Sequence, residues 1–464
     1  MITAPANPRV FAVWFKDLDR WDVAYFRRVA WAWPASILRP LGEALVREVR
    51  EVDPKADKSA VPIIEKITFG GEVSLSDPAS RTKYKGRLFW AETGELVYSK
   101  IRVKQGSLAV VPPAIPRLAV SAEYPVYSIN RAIADGHYLV LALKSRAFQD
   151  YLEGLAHGGS TKTRIHPTEF ESLVLPLPPL PVQETIVRRR REGQEATQKS
   201  QQAVARIEKD ILAGFLKALG LEPPKTADTP KAFAVWWKDF LRWSVNYNQA
   251  ALNSIDLTRG KYPVVDLGSI LAMVQYGTSQ KANTASKGTP VIRMNNIFDG
   301  KLRLGDLKHV ALSPKERAGL LLKDGDILFN RTNSRELVGK CAVFHEASEF
   351  VFASYLIRVH PDEKRANPDY LATFINSPLG RQQIDALSRQ IIGQANVNSM
   401  ELRSLQICLP PLAIQKTIMG KIAEGKAEIA RDRKVAAKLS AEVAQEVEEM
   451  ILGTRPVKPG RGNK

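Results

Sequence analysis

A chain of 464 residues, of which 44% are hydrophobic, is long enough to fold around two or more separate cores. Its 67 Lys and Arg against 49 Asp and Glu give a net charge of +18, which favours a polyanionic partner such as nucleic acid, with a basic protein that binds none as the alternative. Two cysteines and six histidines without metal-ligand spacing exclude a disulfide framework and a four-ligand zinc site.

The N-terminal segment has no apolar core behind a basic start, and no apolar run in the chain reaches the length of a membrane span. We therefore expect a cytoplasmic protein without a membrane partner.

The first element along the chain is an aromatic arm that occurs twice. FAVWFKDLDRWDVAY (11–25) and FAVWWKDFLRWSVNY (233–247) are identical at ten of fifteen positions at a constant offset of 222. Such a match predicts that the chain is built from two related halves.

A second phrase also occurs twice, as LPPLPVQETIV (177–187) and LPPLAIQKTIM (409–419), at an offset of 232. Proline is tolerated only up to the first turn of a helix, so each phrase predicts a helix start. Apolar residues then recur at spacings of three and four in both halves, which favours two long helices packed along each other as a coiled coil. Two separate amphipathic helices, each on its own core, are the alternative. The recurring apolar positions are Val204, Ile207, Ile211, Phe215 and Leu219 in one half, and Ala436, Leu439, Val443, Val447 and Ile451 in the other.

Between the repeated pieces lie two dissimilar segments, roughly 33–176 and 262–408, in which short β-rich runs alternate with turns. YSKIRVKQGSLAVVP (98–112) and GDILFNRTNS (325–334) are typical of strand, turn and strand in a mixed α/β domain. The last dozen residues form a basic tail rich in Gly and Pro, for which we expect disorder.

No catalytic signature is convincing. A phosphate-binding GxxxxGK[ST] loop is absent, which argues against a nucleotide-driven motor in this chain. NPDY (367–370) is close to the motif with which adenine methyltransferases hold a flipped base, but a helical pattern follows it, so Asn367 and Pro368 are interpreted as a helix cap and a first-turn proline. The run RRRR (188–191) could bind phosphate, with a solvated helix face as an equal alternative.

The repeated arm, the repeated phrase and the dissimilar domains between them resemble the specificity subunit of type I restriction-modification systems over the whole sequence. YSKIR (98–102), QYGTSQKA (275–282), VIRMNNI (291–297) and DILFNRTNS (326–334) are similar to phrases of that family's target recognition domains. In that family each LPPL-like phrase marks the change from a recognition domain to a spacer helix, which would explain why this chain contains it twice.

The resemblance implies a mixed α/β fold with two target recognition domains separated by two long helices, packed as an antiparallel coiled coil with a pseudo-twofold internal repeat. The expected segments are a first arm (1–32), recognition domain 1 (33–181), a central spacer helix (182–222), a linker with the second arm (223–261), recognition domain 2 (262–412), a distal spacer helix (413–453) and a basic tail (454–464).

The resemblance also implies a non-catalytic subunit that reads a bipartite, asymmetric site on double-stranded DNA. Two methyltransferase subunits would bind S-adenosylmethionine and dock on the spacer helices, and restriction or motor subunits would use ATP and Mg. No cofactor or metal is expected in this chain itself.

Direct readout of bases needs polar side chains that project into a groove. The candidates in the second domain are Thr278, Ser279, Lys281, Arg293, Asn295, Arg331, Asn333, Arg335, Gln394 and Asn396. The candidates in the first domain are Lys100, Arg102, Lys104, Thr161, Lys162 and Arg164. A structural or solvent-facing role is an equal alternative for each. Because GGSTKTRI (158–165) stands where the second half has IGQANV (392–397), we expect different half-sites.

Two other functions stay open at this point. One is a DNA methyltransferase or nuclease whose catalytic motifs are unfamiliar, which binding of S-adenosylmethionine by the purified chain would support. The other is a non-catalytic coiled-coil scaffold for protein partners, which would ignore duplex DNA even with methyltransferase subunits present.

Overall fold

The computed structural model describes residues 29, 31–53, 55, 57, 59–81, 84–155, 164–222, 234, 235, 237, 248, 255–284, 287–334, 337–387, 389–391 and 394–458, without the side chains of 153–155, 389–391 and 394. The first predicted arm (11–25) and all but three residues of the second (233–247) lie outside the described part, as do residues 459–464 of the predicted tail. The chain forms two compact units, residues 1–200 with 434–464 and residues 201–433. Both units mix helices with strands, as expected.

The first unit consists of short strands and helices. Its strands are β1 (Leu38–Pro40), β2 (Leu45–Glu48), β3 (Ile64–Ile67), β4 (Val73–Leu75), β5 (Leu88–Glu92), β6 (Leu96–Tyr98), β7 (Leu108–Val110), β8 (Arg117–Ser121), β9 (Val126–Ile129) and β10 (Val174–Pro176). Its helices are α1 (Pro78–Arg81), α2 (Gly136–Leu143), α3 (Arg146–Leu155), α4 (Pro167–Glu171) and the first part of α5 (Leu180–Leu219).

An antiparallel sheet in the order β2-β9-β6-β7 supports the core of the first unit. Aromatic residues fill the space beside it: the rings of Tyr98 and Phe170 stack with centroids 4.0 Å apart, and both side chains are fully buried. The Tyr98 hydroxyl donates to the carbonyl of Ile165 at 3.1 Å, so the buried polar group keeps a partner. The segment 98–112 is strand, 3-10 turn and strand, as the sequence predicted.

The second unit has the larger number of strands. They are β11 (Val264–Asp266), β12 (Leu271–Tyr276), β13 (Thr289–Ile292), β14 (Ile297–Phe298), β15 (Lys301–Leu302), β16 (Lys308–Val310), β17 (Ile327–Asn330), β18 (Thr332–Asn333), β19 (Cys341–Val343), β20 (Val351–Phe352), β21 (Leu356–Pro361), β22 (Arg389–Ile391), β23 (Gln394–Asn396) and β24 (Gln406–Cys408). Its helices are α6 (Pro314–Leu320), α7 (Pro368–Asn376), α8 (Pro378–Leu387), α9 (Ser399–Arg403) and the first part of α10 (Leu412–Leu452).

Three sheets shape the second unit: β12-β21-β17-β19, β16-β13-β20 and β18-β23-β22. Strand β17 is buried along its whole length and apolar up to its last residue, Asn330, because β21 and β19 flank it on both edges and cores cover both of its faces. Strand β18 follows β17 after a single residue but joins a different sheet, so the chain between them holds two sheets together.

The two long helices pack on each other within each unit. In the first unit Arg189 forms an ion pair with Glu446 at 2.7 Å, and Gly193 lies directly beneath Val443. In the second unit Glu208 pairs with Arg433 at 2.9 Å. Higher numbers in α5 therefore meet lower numbers in α10, so the contacting helix segments are antiparallel.

Burial along the helices follows the predicted apolar positions. Val204, Phe215 and Leu219 are buried in α5, and Val443, Val447 and Ile451 are buried in α10, while the charged residues between Val204 and Ile211 are exposed. Both helices begin within the LPPL phrases, at Leu180 and Leu412, where the second proline of each phrase ends the extended segment.

The glutamine of each LPPL phrase is completely buried and binds three backbone groups. The Gln183 side chain donates to the carbonyls of Ile133 and Pro178 at 2.8 and 2.7 Å and accepts the amide of Asp135 at 2.9 Å. This cluster ties the start of α5 to the residues that precede α2.

Gln415 makes the same three contacts in the second unit, each at an offset of 232. Its side chain donates to the carbonyls of Arg365 and Pro410 at 3.0 and 2.7 Å and accepts the amide of Asn367 at 2.8 Å. The sequence identifies this glutamine as repeated, and the structure shows that it satisfies buried backbone groups at the junction of the helix and its domain.

No helix among the described residues is long and apolar enough to cross a membrane.

Candidate nucleic-acid interface

Backbone hydrogen bonds place Arg331 at the centre of a polar surface on the second unit. Its amide donates to the carbonyl of Tyr355 at 3.0 Å, and its carbonyl accepts the amide of Val397 at 2.9 Å. The end of β17 is thus held between the turn after β20 and the end of β23, which brings the segments 326–334 and 394–397 together.

The Arg331 side chain lies over the ring of Tyr276, with its guanidinium carbon 4.8 Å from the ring centroid. The hydroxyl of Tyr276 accepts the amide of Ser399 at 2.9 Å, which fixes the ring. The Arg331 Nε is buried without a hydrogen-bond partner among the described residues, and one terminal nitrogen donates to the carbonyl of Ser354 at 3.4 Å. A planar cation held on an aromatic ring, with further donors on its terminal nitrogens, is suited to a base edge or a phosphate.

The predicted group at 278–281 borders this surface. The Thr278 amide donates to the carbonyl of Phe352 at 2.9 Å, and the Thr278 carbonyl accepts the amide of Ser354 at 2.8 Å. Ser279 and Lys281 are exposed beyond it. The same turn, residues 352–355, therefore holds both Thr278 and Arg331.

Strand pairing adds the two predicted asparagines. Asn396 lies opposite Thr332, and Asn333 lies opposite Ala395, in the pairing of β18 with β23. Asn333 accepts the amide of Ser334 at 2.8 Å, so part of its bonding capacity is used locally. Arg335 lies outside the described residues, and so does the side chain of Gln394.

Arg293 is engaged in local structure rather than presented freely. Its guanidinium pairs with Asp306 at 3.3 Å, its amide donates to Asn296, and its Nε is buried without a partner among the described residues. Asn295 next to it is exposed. Of these two predicted base readers, the structure leaves Asn295 more accessible.

The first unit holds its predicted residues by the same backbone pattern. The Lys100 amide donates to the carbonyl of Glu123 at 3.0 Å, and its carbonyl accepts the amide of Ile165 at 3.0 Å. Arg164 pairs with Glu123 at 3.3 Å on the surface. Lys100 and Arg164 therefore meet, although 64 positions separate them in the sequence.

The remaining candidates of the first unit lie near this point or outside the described residues. Arg102 is exposed. Burial raises the pKa of Tyr124, and the charge of Arg102 acts against that rise. Lys104 is half-buried in the 3-10 turn that follows. Thr161 and Lys162 lie outside the described residues.

Sequence reasoning missed the aromatic residues of the surface around Arg331. Tyr276 and Tyr355 are 39% and 52% exposed there. Exposed aromatic rings beside arginine are typical of nucleic-acid contacts. The signal was present in QYGTSQKA (275–282), where Tyr276 directly precedes the polar group.

The NPDY segment has a structural role. The Asn367 side chain accepts the amide of Tyr370 at 2.9 Å as the cap of α7, and Pro368 is the first helical residue. Tyr370 is fully buried, and its hydroxyl donates to the carbonyl of Cys408. Neither side chain is placed to hold a base, which agrees with the interpretation as a helix cap.

The two cysteines are buried, and burial disfavours the thiolate form of both. Burial raises the pKa of Cys341 to about 12 and also raises the pKa of Cys408. Among the described residues, no group of three or more His, Cys, Asp or Glu side chains is arranged to hold a metal ion.

His345 lies away from these surfaces and joins two carboxylates. Its Nδ1 is 2.7 Å from Asp324 and its Nε2 is 3.2 Å from Asp369 in the first turn of α7. Partial burial acts to lower the pKa of His345, but the two hydrogen-bonded carboxylates outweigh it, so the pKa lies above its ordinary value.

We expect this histidine to make stability depend on pH. A raised folded-state pKa gives stability that is complete below the unfolded value of about 6.5 and is lost as pH rises through the folded value. The melting temperature of the wild-type chain should therefore exceed that of His345→Gln more at pH 6 than at pH 9. His166→Gln, which alters an exposed histidine, serves as the control, and an equal difference at both pH values would contradict the expectation.

Comparison with known proteins identifies related sequences. Residues 260–430 match the family described as "Type I restriction modification DNA specificity domain". The putative type I restriction enzyme MjaX specificity subunit of Methanocaldococcus jannaschii is 30% identical over 159 residues, which cover 34% of this chain and 37% of that protein. The type I restriction enzyme EcoKI specificity subunit of Escherichia coli K12 is 24% identical over 284 residues, which cover 61% of this chain and 56% of that protein. The matches thus span from about one third to about half of these relatives.

One solved structure shares the fold. It concerns "complex assembly and conformational transition of the type I R-M system", and the matching chain is 15% identical with a TM-score of 0.58. The alignment covers 89% of this chain and 96% of that chain.

Proposed function

We propose that this chain is a specificity subunit of a type I restriction-modification system and that it recognises a bipartite, asymmetric DNA site, with one half-site read by each unit. It would contribute recognition and no catalysis. The reading surfaces would be those around Arg331 in the second unit and around Lys100 in the first.

A single observation carries this proposal: both units build the same polar surface from different side chains. The Lys100 amide donates to Glu123 and the Lys100 carbonyl accepts from Ile165, and Arg331 makes the same two backbone bonds with Tyr355 and Val397. The two partners lie at an offset of 232 and the central residues at an offset of 231. A shared scaffold with unlike side chains is what two different half-sites require, because base contacts come from side chains and register comes from the scaffold.

We infer from this recurrence a pseudo-twofold internal repeat. The hydrogen bonds of Gln183 and Gln415 support it, and so do the equal offsets of α2 and α7, α3 and α8, and α4 and α9. The repeat would place the recognition domains on two helices that pack as an antiparallel coiled coil and set the distance between half-sites, as dimer geometry does in other DNA-binding proteins.

The partners follow from the family. We propose that two methyltransferase subunits dock on the outer faces of α5 and α10 and that restriction or motor subunits complete the assembly. S-adenosylmethionine, ATP and Mg would bind to those partners. The net charge of +18 on this chain supports DNA as the ligand of the assembly.

Arg331→Ala is the direct test of the reading surface. With methyltransferase subunits present, we expect specificity to relax at one half-site by about 1 to 3 kcal/mol, because a planar donor is lost from the groove. The measurement is binding to a library of duplexes that vary one base pair at a time. Equal weakening on every duplex would instead assign Arg331 to a phosphate contact.

Two further variants complete this test. Arg164→Ala should relax the other half-site only. Arg317→Ala is the control, since Arg317 is exposed on α6, pairs with Glu349 and belongs to neither surface. If both Arg331→Ala and Arg164→Ala bind every duplex like the wild type, the assigned surfaces are wrong.

We also expect no methyl transfer by the chain alone. Asn367 and Tyr370 cap and pack α7, so they are not available to a base. The measurement is transfer of labelled methyl groups from S-adenosylmethionine to duplex DNA by rigorously purified chain. Transfer that Asn367→Ala abolishes in a folded variant would favour a fused methyltransferase.

A further inference from the structure

A cavity of about 450 Å³ lies within the first unit, where α2, α5 and the last part of α10 meet. Its apolar floor includes Val140, Val187 and Val447, and its rim carries Lys144, Arg190 and Arg191. The volume falls in the range of sites for small ligands. None of the residues proposed to read bases lines it.

The cations that line this cavity outnumber its carboxylates. Lys144, Arg190 and Arg191 form no ion pair within the described part of the chain. Glu448 is the acidic residue in the lining, and its carboxylate is hydrogen-bonded at the start of α3. It accepts the backbone amides of Arg146 and Ala147 at 3.1 and 3.0 Å.

The four consecutive arginines differ in whether they form ion pairs. Arg188 and Arg189 lie within 4.0 and 3.3 Å of Glu192, and Arg189 also pairs with Glu446 at 2.7 Å. Arg190 and Arg191 form no such pair among the described residues and line the cavity instead. The ion pairs thus orient half of the run structurally and leave the other half for a ligand.

Lys144 is an unusual lysine. Its Nζ donates to the carbonyl of Phe69 at 3.2 Å, in the turn between β3 and β4, and burial lowers its pKa to about 8. A cation that is partly desolvated without a counter-charge costs free energy, which an anion bound beside it would offset.

We propose that this cavity binds a phosphate group through Lys144, Arg190 and Arg191. Two guanidinium groups and one ammonium group match the several acceptor oxygens of a phosphate, and arginine can bind such a group with two parallel hydrogen bonds. The phosphate can come from the DNA backbone outside the half-sites or from a free phosphate-bearing small molecule. The inference goes beyond the proposed function, since base reading does not need this cavity.

Amine labelling of Lys144 tests the site directly. The full chain is treated with a trace of acetylating reagent at pH 8, and modification of each lysine is measured by mass spectrometry of peptides. We expect pyrophosphate to slow modification of Lys144 about fivefold while other lysines change little, because a bound anion raises the pKa of a neighbouring lysine and covers it. A second sample contains a duplex without the target sequence, at equal ionic strength.

Matched variants make the test specific. The double variant Arg190→Gln, Arg191→Gln should lose the protection of Lys144, whereas Arg188→Gln should keep it, because Arg188 belongs to the same run but does not line the cavity. Circular dichroism and the melting temperature confirm that each variant is folded.

Each outcome decides the proposal. Protection by pyrophosphate and by duplex supports a backbone phosphate, and protection by pyrophosphate alone supports a free phosphate ligand. No protection by either, or equal protection by polyglutamate at the same charge concentration, would overturn the phosphate site. Sequence-specific binding that persists in that case would leave the proposed function intact.

Discussion

Replacing Gln415 with leucine will lower the free energy of unfolding of the second unit by about 3 to 5 kcal/mol. Three buried backbone groups lose their partner, the carbonyls of Arg365 and Pro410 and the amide of Asn367, and each unsatisfied group costs about 1 to 3 kcal/mol. Leucine has a similar size, so the loss comes from unpaired polar groups rather than from a cavity.

Urea unfolding followed by hydrogen exchange of peptides from α7 and β24 measures this effect, because those elements meet at the Gln415 cluster. Gln445→Leu is the control: Gln445 lies on the same helix, is exposed, and within the described part of the chain bonds through its side chain to Glu449 on the next turn. A loss below about 1 kcal/mol would show that water or backbone movement satisfies the three groups.

Gln183→Leu should destabilise the first unit to a similar extent and leave exchange in the second unit unchanged. Its three bonds correspond one by one to those of Gln415. Comparison of the two variants therefore also measures whether the units unfold independently, which a two-unit chain permits.

Lengthening both long helices by four residues is expected to widen the gap between the half-sites by one or two base pairs. Each helical residue adds about 1.5 Å, so four add about 6 Å. Successive base pairs rise by about 3.4 Å along the duplex. The half-site sequences themselves should stay the same, since the recognition surfaces are untouched.

The insertions are placed after Ser200 in α5 and after Lys434 in α10. The pairs Arg189 with Glu446 and Glu208 with Arg433 flank this point on either side, so a matched insertion keeps both sets of contacts in register. The readout is the methylated DNA motif produced with partner subunits present. The same four residues inserted after Lys458, beyond the end of α10, are the control.

An unchanged gap would show that the two helices do not set the distance between the half-sites. The domains would then be positioned by another part of the chain, such as the arms at Trp21 and Trp243, which lie outside the described residues. Absence of sequence-specific binding by the wild-type chain as well would instead count against the proposed function, so the two failures are distinguishable.

The family comparisons confirm the resemblance on which the sequence reasoning rested, and the fold is mixed α/β as expected. The boundaries of the segments and the base-reading roles of the sixteen candidate residues stay predictions. Of those candidates, Thr278, Arg331 and Asn396 converge on one surface, whereas Arg293 is held by Asp306.

The sequence by itself determined features that depend on neighbouring residues. The prolines of the two LPPL phrases specify helix starts at Leu180 and Leu412, because proline fits only the first turn. Asn367 and Pro368 specify a cap in the same way, and spacings of three and four specify the apolar faces of α5 and α10. Each of these features is set within a few residues by backbone geometry.

Only the tertiary structure decided which polar side chains pair with other groups of the protein and which remain available to a ligand. Arg189 and Arg190 are neighbours in one run, yet Arg189 is neutralised by Glu446, 257 positions away, while Arg190 faces a cavity. The guanidinium of Arg331 packs on the ring of Tyr276. That ring belongs to β12, a strand that is distant from Arg331 in the sequence and pairs with β21. Charge pairing and hydrogen bonding depend on distances of a few ångströms, which local sequence patterns do not specify for residues that the fold brings together.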